Sequence, residues 1–163
     1  MSKREPIKIR KMTAADRIKV FNLLQLIGTF TVPEIEELMA MVDTYLFDRD
    51  QQKYLIFIAE GLGNTVVGYV CFGPQLTTDG TFELYHLEAL PGESQEQTRQ
   101  HLFEFAESRV SSERGRLLVT QFTSRSDFDD LREFYLNNDF CEAARIPNYY
   151  GDGNHQIILN KRL

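Results

Sequence analysis

The chain has 163 residues, a length that suits one domain with a core of its own. Apolar residues make up 42% and charged residues 26%, close enough to globular averages to exclude wholesale disorder. A formal charge of −6 repels phosphate backbones and argues against general nucleic-acid binding.

The start, Met1-Ser2-Lys3-Arg4-Glu5, has basic residues with no apolar stretch behind them, so no secretory signal is expected. No apolar run approaches the roughly 18 residues of a membrane-spanning helix. The expected location is therefore the cytoplasm. Ile7 to Met12 alternates apolar and polar residues as a half-buried strand does. Thr13, with an acid three residues on at Asp16, signals a helix start, and Gly28 supplies its end. Thr31-Val-Pro-Glu34 is a capping box for a second helix, whose stripe of Ile35, Leu38, Met39, Val42 and Leu46 reads as core. Tyr54–Glu60 and Thr65–Phe72 form a predicted hairpin around Gly61-Leu-Gly-Asn64. Thr81–Leu90 is a strand closed by Pro91-Gly92, and Gln95–Val110 a helix. Leu117–Phe122 is a strand, Asp127–Asn138 a helix, and Phe140–Ile146 and Gln156–Lys161 the last strands. The aromatic, glycine-containing stretch Pro147–Gly153 reads as a loop between them.

Cys71 and Cys141 sit in no CxxC or zinc spacing and read as buried free thiols. His86, His101 and His155 form no metal-ligand pattern, so no metal is expected. The order β-α-α-β-β-β-α-β-α-β-β, without repeat or linker, predicts a single domain over residues 1–163. It is a mixed α/β fold, one mixed sheet of about six or seven strands with helices on both faces. The strand from Thr81, the helix from Gln95 and the strand from Leu117 make a right-handed crossover between parallel strands.

That order resembles the GNAT superfamily of acyl-CoA-dependent N-acetyltransferases. Phe82-Glu-Leu-Tyr-His-Leu-Glu-Ala-Leu-Pro91 looks like the family's central strand. Leu131-Arg-Glu-Phe-Tyr135 through Asp139-Phe140 looks like its RxFYxxxGF segment, and Ala144–Tyr150 through Leu163 like the closing hairpin of one bacterial subgroup. The resemblance implies acetyl transfer from acetyl-CoA to a small-molecule amine or a protein amino group, with no nucleic acid or membrane as partner. A homodimer is left open. It also implies that main-chain groups of Leu87 and Ala89 pair with the pantetheine arm and that the turn at Ser94, Gln95, Gln97, Thr98 and Arg99 holds the pyrophosphate.

In the family that turn reads Q/R-x-x-G-x-G/A. Here Gln97 and Arg99 stand where the glycines would fall, and Ser94 replaces the leading Gln or Arg. Glycine lets a backbone approach an anion, and a helix N-terminus attracts one. Ser94-Gln-Glu-Gln97 reads instead as a capping box that occupies its own donors, and Glu93 and Glu96 oppose a pyrophosphate. Arg99 is the one side chain there suited to phosphate. Two readings follow: an active N-acyltransferase, or a non-catalytic protein of the same fold that acts as a binding module. By the family's motif Tyr135 would protonate the leaving thiolate. Glu83 is the candidate base, on the same face as Tyr85 and Leu87 if strand alternation holds. That alternation turns His86 away and leaves it out. Tyr85, Tyr149 and Tyr150 are candidate walls of the acceptor site.

Overall fold

The computed structural model describes residues 6–163, so the basic start at residues 1–5 lies outside the described residues. Its strands are β1 (Lys8–Lys11), β2 (Leu55–Glu60), β3 (Val66–Pro74), β4 (Thr81–Ala89), β5 (Leu117–Thr123), β6 (Cys141–Gly151) and β7 (Asn154–Arg162). Its helices are α1 (Arg17–Ile27), α2 (Val32–Phe47), α3 (Gln95–Ser112) and α4 (Asp129–Asn137). The strands form one mixed seven-stranded sheet of order β1-β2-β3-β4-β5-β7-β6. Only β4 and β5 run parallel; the other neighbours are antiparallel.

The near-continuous apolar runs of β2 and β3 are explained by burial on both faces. Ile56 and Ile58 of β2 pack with Val20, Leu24, Leu38 and Val42 of α1 and α2. Phe57 and Ala59, the alternate positions, pack with Leu102, Phe103 and Ala106 of α3, and Phe134 and Tyr135 of α4 share that core. The sheet thus has α1 and α2 on one face and α3 and α4 on the other, as expected. A pair of amide hydrogen bonds between Gln100 and Asn138, 3.0 and 3.2 Å, locks α4 to α3.

The local signals behave as their chemistry dictates at most ends. Thr31 N donates to Glu34 Oε2 at 2.7 Å and Glu34 N to Thr31 Oγ1 at 3.4 Å, the reciprocal box that starts α2. Gly28 ends α1 with φ 74°, a conformation that favours glycine. Asp16 accepts from Thr13 N at 2.9 Å and from both terminal nitrogens of Arg10 at 2.7 and 2.9 Å, which ties β1 to the start of α1.

Three expectations need correction. Cys141 is exposed on β6, an outer strand, while Cys71 is buried. Pro147–Gly151 is strand rather than loop. Asn148, at φ 56°, donates its N–H to His155 Nδ1 and accepts from Gly153 N, each at 2.9 Å. These bonds carry the hairpin past an irregular register to a tight turn at Asp152-Gly153. The box proposed at Ser94 does not form: Ser94 sits at φ −97°, ψ 2°, and its side chain caps no N–H. An extended N-cap conformation is what lets such a hydroxyl reach back.

Two stability predictions follow. A Cβ built at Gly68 would meet Glu88 O at 2.7 Å and Leu102 Cδ1 at 2.9 Å, because α3 lies directly on β3 there. Gly68→Ala should destabilise by about 1–3 kcal/mol in urea unfolding. The Arg10 hydrogen bonds hold the Asp16 carboxyl down to about 2, below its usual 3.8. Stability from this group is therefore present above about pH 4 and lost as pH falls through 2. Asp16→Asn should cost about 2 kcal/mol near neutrality and flatten the acid dependence of the urea midpoint in that window.

Candidate active site

β4 and β5 are paired only at Thr81–Glu83 with Leu117–Val119. Beyond that, β5 stays paired with β7 along its whole length, and β4 stays with β3. Two neighbouring strands held by different partners must part, and the gap between them leaves peptide groups of Leu84–Ala89 without a strand partner on that side. Unpaired strand edges accept an extended chain that carries amides.

The parting goes with a β-bulge. Cys71 faces His86 and Phe72 faces Leu84, so Tyr85 is the extra residue. A bulge reverses the alternation of side chains that follow it. Phe82 and Leu84 lie in the core beneath α3, and so does Leu87, out of phase with them. Glu83 and Tyr85 therefore share the α1/α2 side of the sheet with His86 and not with Leu87. The expected grouping is corrected on this point, and His86, set aside by simple alternation, enters the site.

On that side a cavity of about 190 Å³ lies over the gap, between α2, β4, β5 and the β6–β7 hairpin. Phe30, Met41, Phe122 and Phe128 give it apolar walls, and Glu34, Glu37, His86, Gln121 and Tyr150 give it polar ones. No Lys or Arg lines it. Glu34 is spoken for. Arg125 Nη1 lies 3.0 Å from its Oε1 and Nη2 3.1 Å from its Oε2. Burial raises the Glu34 carboxyl pKa, but Arg125 and the Thr31 N–H outweigh it and the net shift is downward. That ion pair joins α2 to the β5–α4 connection and spans 91 residues of sequence, so no local motif announces it.

Glu83 is half-buried beneath this cavity. It accepts from Gln75 Nε2 at 2.6 Å and Gln121 Nε2 at 3.1 Å. Desolvation raises its pKa, opposed by Lys53 and by the two amides. Tyr85 accepts from the same Gln75 at 3.2 Å and stands edge-on to Tyr54, ring centroids 5.1 Å apart. Burial, then the Glu83 charge, push its phenol up. Of the three tyrosines considered for the acceptor walls, Tyr150 lines the cavity, Tyr149 packs edge-on against it at 4.8 Å and is largely exposed, and Tyr85 points to the Lys53–Tyr54 side. Behind His86, Glu88 is 6% exposed, with Oε1 3.8 Å from His86 Nδ1.

On the opposite face Tyr135 is 1% exposed, walled by Phe122, Phe134 and Phe140, with ring centroids 5.0–6.0 Å away. Burial pushes its phenol well up; Thr120, by hydrogen bonding, works against that. Leu87 and Ala89 are buried on the parted strand. Ala89 O already accepts from Gln95 Nε2 at 3.2 Å. At the start of α3, Thr98 N makes the first full helical bond, to Ser94 O at 2.9 Å, and the amides before it belong to the turn. Ser94 and Gln97 are exposed; Thr98 is buried against β3 beside Gly68. Arg99 lies in a cleft between α3 and α4, of about 280 Å³, with Gln95, Glu96, Asp130 and Glu133. Its Nε is buried without a hydrogen-bond partner, and its guanidinium lies 5.6 Å from the Phe134 ring centroid. An orphaned guanidinium N–H and an open strand edge suit a phosphate and an amide chain; the carboxylates around them do not. Among the described residues no group of three His, Cys, Asp or Glu side chains is placed to hold a metal ion. No described helix is long and apolar enough to cross a membrane.

No protein-family model matches the chain, and no curated protein sequence does. Solved structures do match. A protein described as a GNAT-family acetyltransferase from Desulfovibrio desulfuricans superposes with TM-score 0.87 at 23% identity, over 96% of this chain and 99% of that one. The ribosomal-protein-S18-alanine N-acetyltransferase of Escherichia coli gives 0.74 at 14% identity, over 96% and 94%. The PaiA N-acetyltransferase of Thermoplasma acidophilum, solved with coenzyme A, gives 0.71 at 16% identity, over 98% and 100%. With identities this low the likeness is one of backbone, and it extends over nearly the whole chain: the chain has the GNAT acetyltransferase fold.

Proposed function

We propose that the chain is an N-acyltransferase that moves an acetyl group from acetyl-CoA to a primary amine, on a small molecule or a protein. The observation that carries this reading is the parted edge of β4 with a cavity over it that has carboxylates, aromatic walls and no cationic side chain. An ammonium is the charge such a cavity favours. The relatives of the same fold include one solved with coenzyme A and one that acts on a protein's alanine. Leu87 and Ala89 would pair with the pantetheine arm. The turn at Ser94, Gln95, Gln97 and Thr98, together with Arg99, would face the diphosphate. Acetyl-CoA supplies the activated acyl group.

The transfer needs a group that takes a proton from the ammonium and one that gives a proton to the leaving sulfur. Tyr135 has the residue type for the second role, since burial holds its proton on. For the first role the sequence nominates Glu83 of β4; desolvation raises its pKa, and the Gln75 and Gln121 amides that engage its oxygens oppose that. The two free cysteines fit a reducing, cytoplasmic setting.

One observation favours the second reading, a non-catalytic module. Gln95 Nε2 occupies the Ala89 carbonyl, and Glu93 and Glu96 stand at the turn. Acetyl-CoA at a hundred times its dissociation constant should raise the melting temperature by about 5 °C or more. No rise at millimolar acetyl-CoA would overturn the enzyme reading. Tyr135→Phe should leave that rise in place and lower kcat about 100-fold. Under the second reading the pair Gln97→Gly and Arg99→Gly would instead create coenzyme binding, and micromolar binding by the unaltered protein would defeat it.

A further inference from the structure

Resting on the acyl-transfer reading, we propose that His86, positioned by the buried carboxylate of Glu88, takes the proton from the acceptor ammonium, and that Glu83 serves to hold the cavity wall.

The two groups differ in what they reach. His86 lines the cavity and its side chain keeps 22% exposure, so one edge of the ring is open to a bound amine. Glu83 does not line the cavity. Its oxygens are engaged by Gln75 and Gln121, and Gln121 is the wall residue it holds. His86 owes its place to the extra residue at Tyr85, which brings it and Glu88 to the acceptor side.

Glu88 is what makes this histidine more than a ring in a wall. Its carboxylate is nearly buried, and a buried charge is retained only where something compensates it. Directly across the ladder stands Tyr69, 2% exposed, whose hydroxyl has no partner among the described residues. On the other side, His86 Nδ1 lies at 3.8 Å, the distance of an ion pair that forms when the ring is charged. A carboxylate on the Nδ1 side leaves Nε2 as the nitrogen that exchanges a proton with the cavity. The other charged or titratable groups around the ring are few. Cys71, its cross-strand neighbour, has a thiol held protonated by burial. Glu34 of α2 is paired with Arg125, Glu37 lies on the rim, and Tyr150 closes the β6 side. Apart from that pairing of Arg125 with Glu34, none of them supplies a cation.

The step balances without an added reactant. An N–H bond of the ammonium breaks and its proton goes to His86 Nε2. The freed lone pair on nitrogen forms a bond to the thioester carbonyl carbon. The C–S bond breaks, its electron pair goes to sulfur, and sulfur takes the Tyr135 proton; the nitrogen, cationic once bonded to carbon, gives up a second proton, which restores the Tyr135 hydroxyl through solvent. The imidazolium left beside Glu88 returns its proton to solvent through the cavity mouth.

The test has an arm that needs no turnover. In the full chain the ring nitrogens of His86 are followed by NMR, and Glu88→Gln should shift the Nδ1 resonance. In the second arm acetyl transfer from acetyl-CoA to n-butylamine and to 2-phenylethylamine is measured against pH. His86→Gln should lower kcat about 100-fold at neutral pH with acetyl-CoA binding unchanged, and the loss should shrink at high pH where the amine is already neutral. Glu88→Gln should lower kcat about tenfold with KM unchanged. A residue that only packs would leave the Nδ1 resonance and kcat in place. If His86→Gln keeps wild-type kcat, or Glu83→Gln alone causes the loss at neutral pH, this proposal is overturned while the acyl-transfer reading stands. If acetyl-CoA neither binds nor turns over, the acyl-transfer reading fails, and the proton role of His86 fails with it.

Discussion

Two strands that begin as neighbours and end apart decide the architecture of this molecule. β4 is committed to β3 and β5 to β7, so their own parallel pairing lasts only three residues. Backbone hydrogen bonds are too costly to leave unmade in a buried interior. The unpaired stretch of β4 is therefore tolerable only where solvent, a side chain or a ligand can reach it. Gln95 meets part of this need by donating to Ala89 O. The rest is an edge in the middle of a sheet, with helices on both faces and a cavity over the gap on the α1/α2 side.

The bulge at Tyr85 turns that edge into a site. A strand without it would send Glu83, Tyr85 and Leu87 to one face and His86 and Glu88 to the other. With it, Leu87 remains in the core beneath α3, and four polar side chains of β4 face the same side. The energetic burden falls on Glu88 and Tyr69, polar groups held in the interior with sparse compensation. Stability is drawn from elsewhere: from two aromatic-rich cores, the Gln100–Asn138 amide pair, and the Arg10 and Arg125 ion pairs that clamp the outer helices to the sheet. The Arg125–Glu34 pair also neutralises one cavity carboxylate, so the negative character of the acceptor side rests on Glu37, Glu83 and Glu88.

The opening turn of α3 shows how backbone geometry and side-chain chemistry can diverge. The helix begins at Gln95, and its first full helical bond is made at Thr98. The side chains that surround the turn are acidic or amide-bearing, with Arg99 set back in the α3–α4 cleft. Ser94 does not close the turn on itself, since its backbone is in the wrong conformation for a cap. Backbone placement and charge thus pull in opposite directions at one place, and this is why two functional readings stay distinguishable by coenzyme binding alone.

Much of the fold was legible in the chain because it depends on local chemistry. Two-residue alternation, doubly apolar runs, the Thr31–Glu34 box and Gly28 each act within a few residues, and they set the order and type of the elements. Tyr135 drew notice through the resemblance of its segment to a family motif, and the structure buries it among Phe122, Phe134 and Phe140. What the linear pattern could not carry are effects that need a partner far away or a single residue of slippage. The bulge depends on the register of β4 against β3, and it reverses which face His86 and Glu88 occupy. The exposure of Cys141 and the strand character of Tyr149 and Tyr150 depend on β7 as a partner, and Arg125 meets Glu34 only when α2 crosses the β5–α4 connection. Composition and periodicity fixed what each segment is; tertiary pairing decided which side chains share a cavity, because contacts between distant segments leave no trace in local spacing.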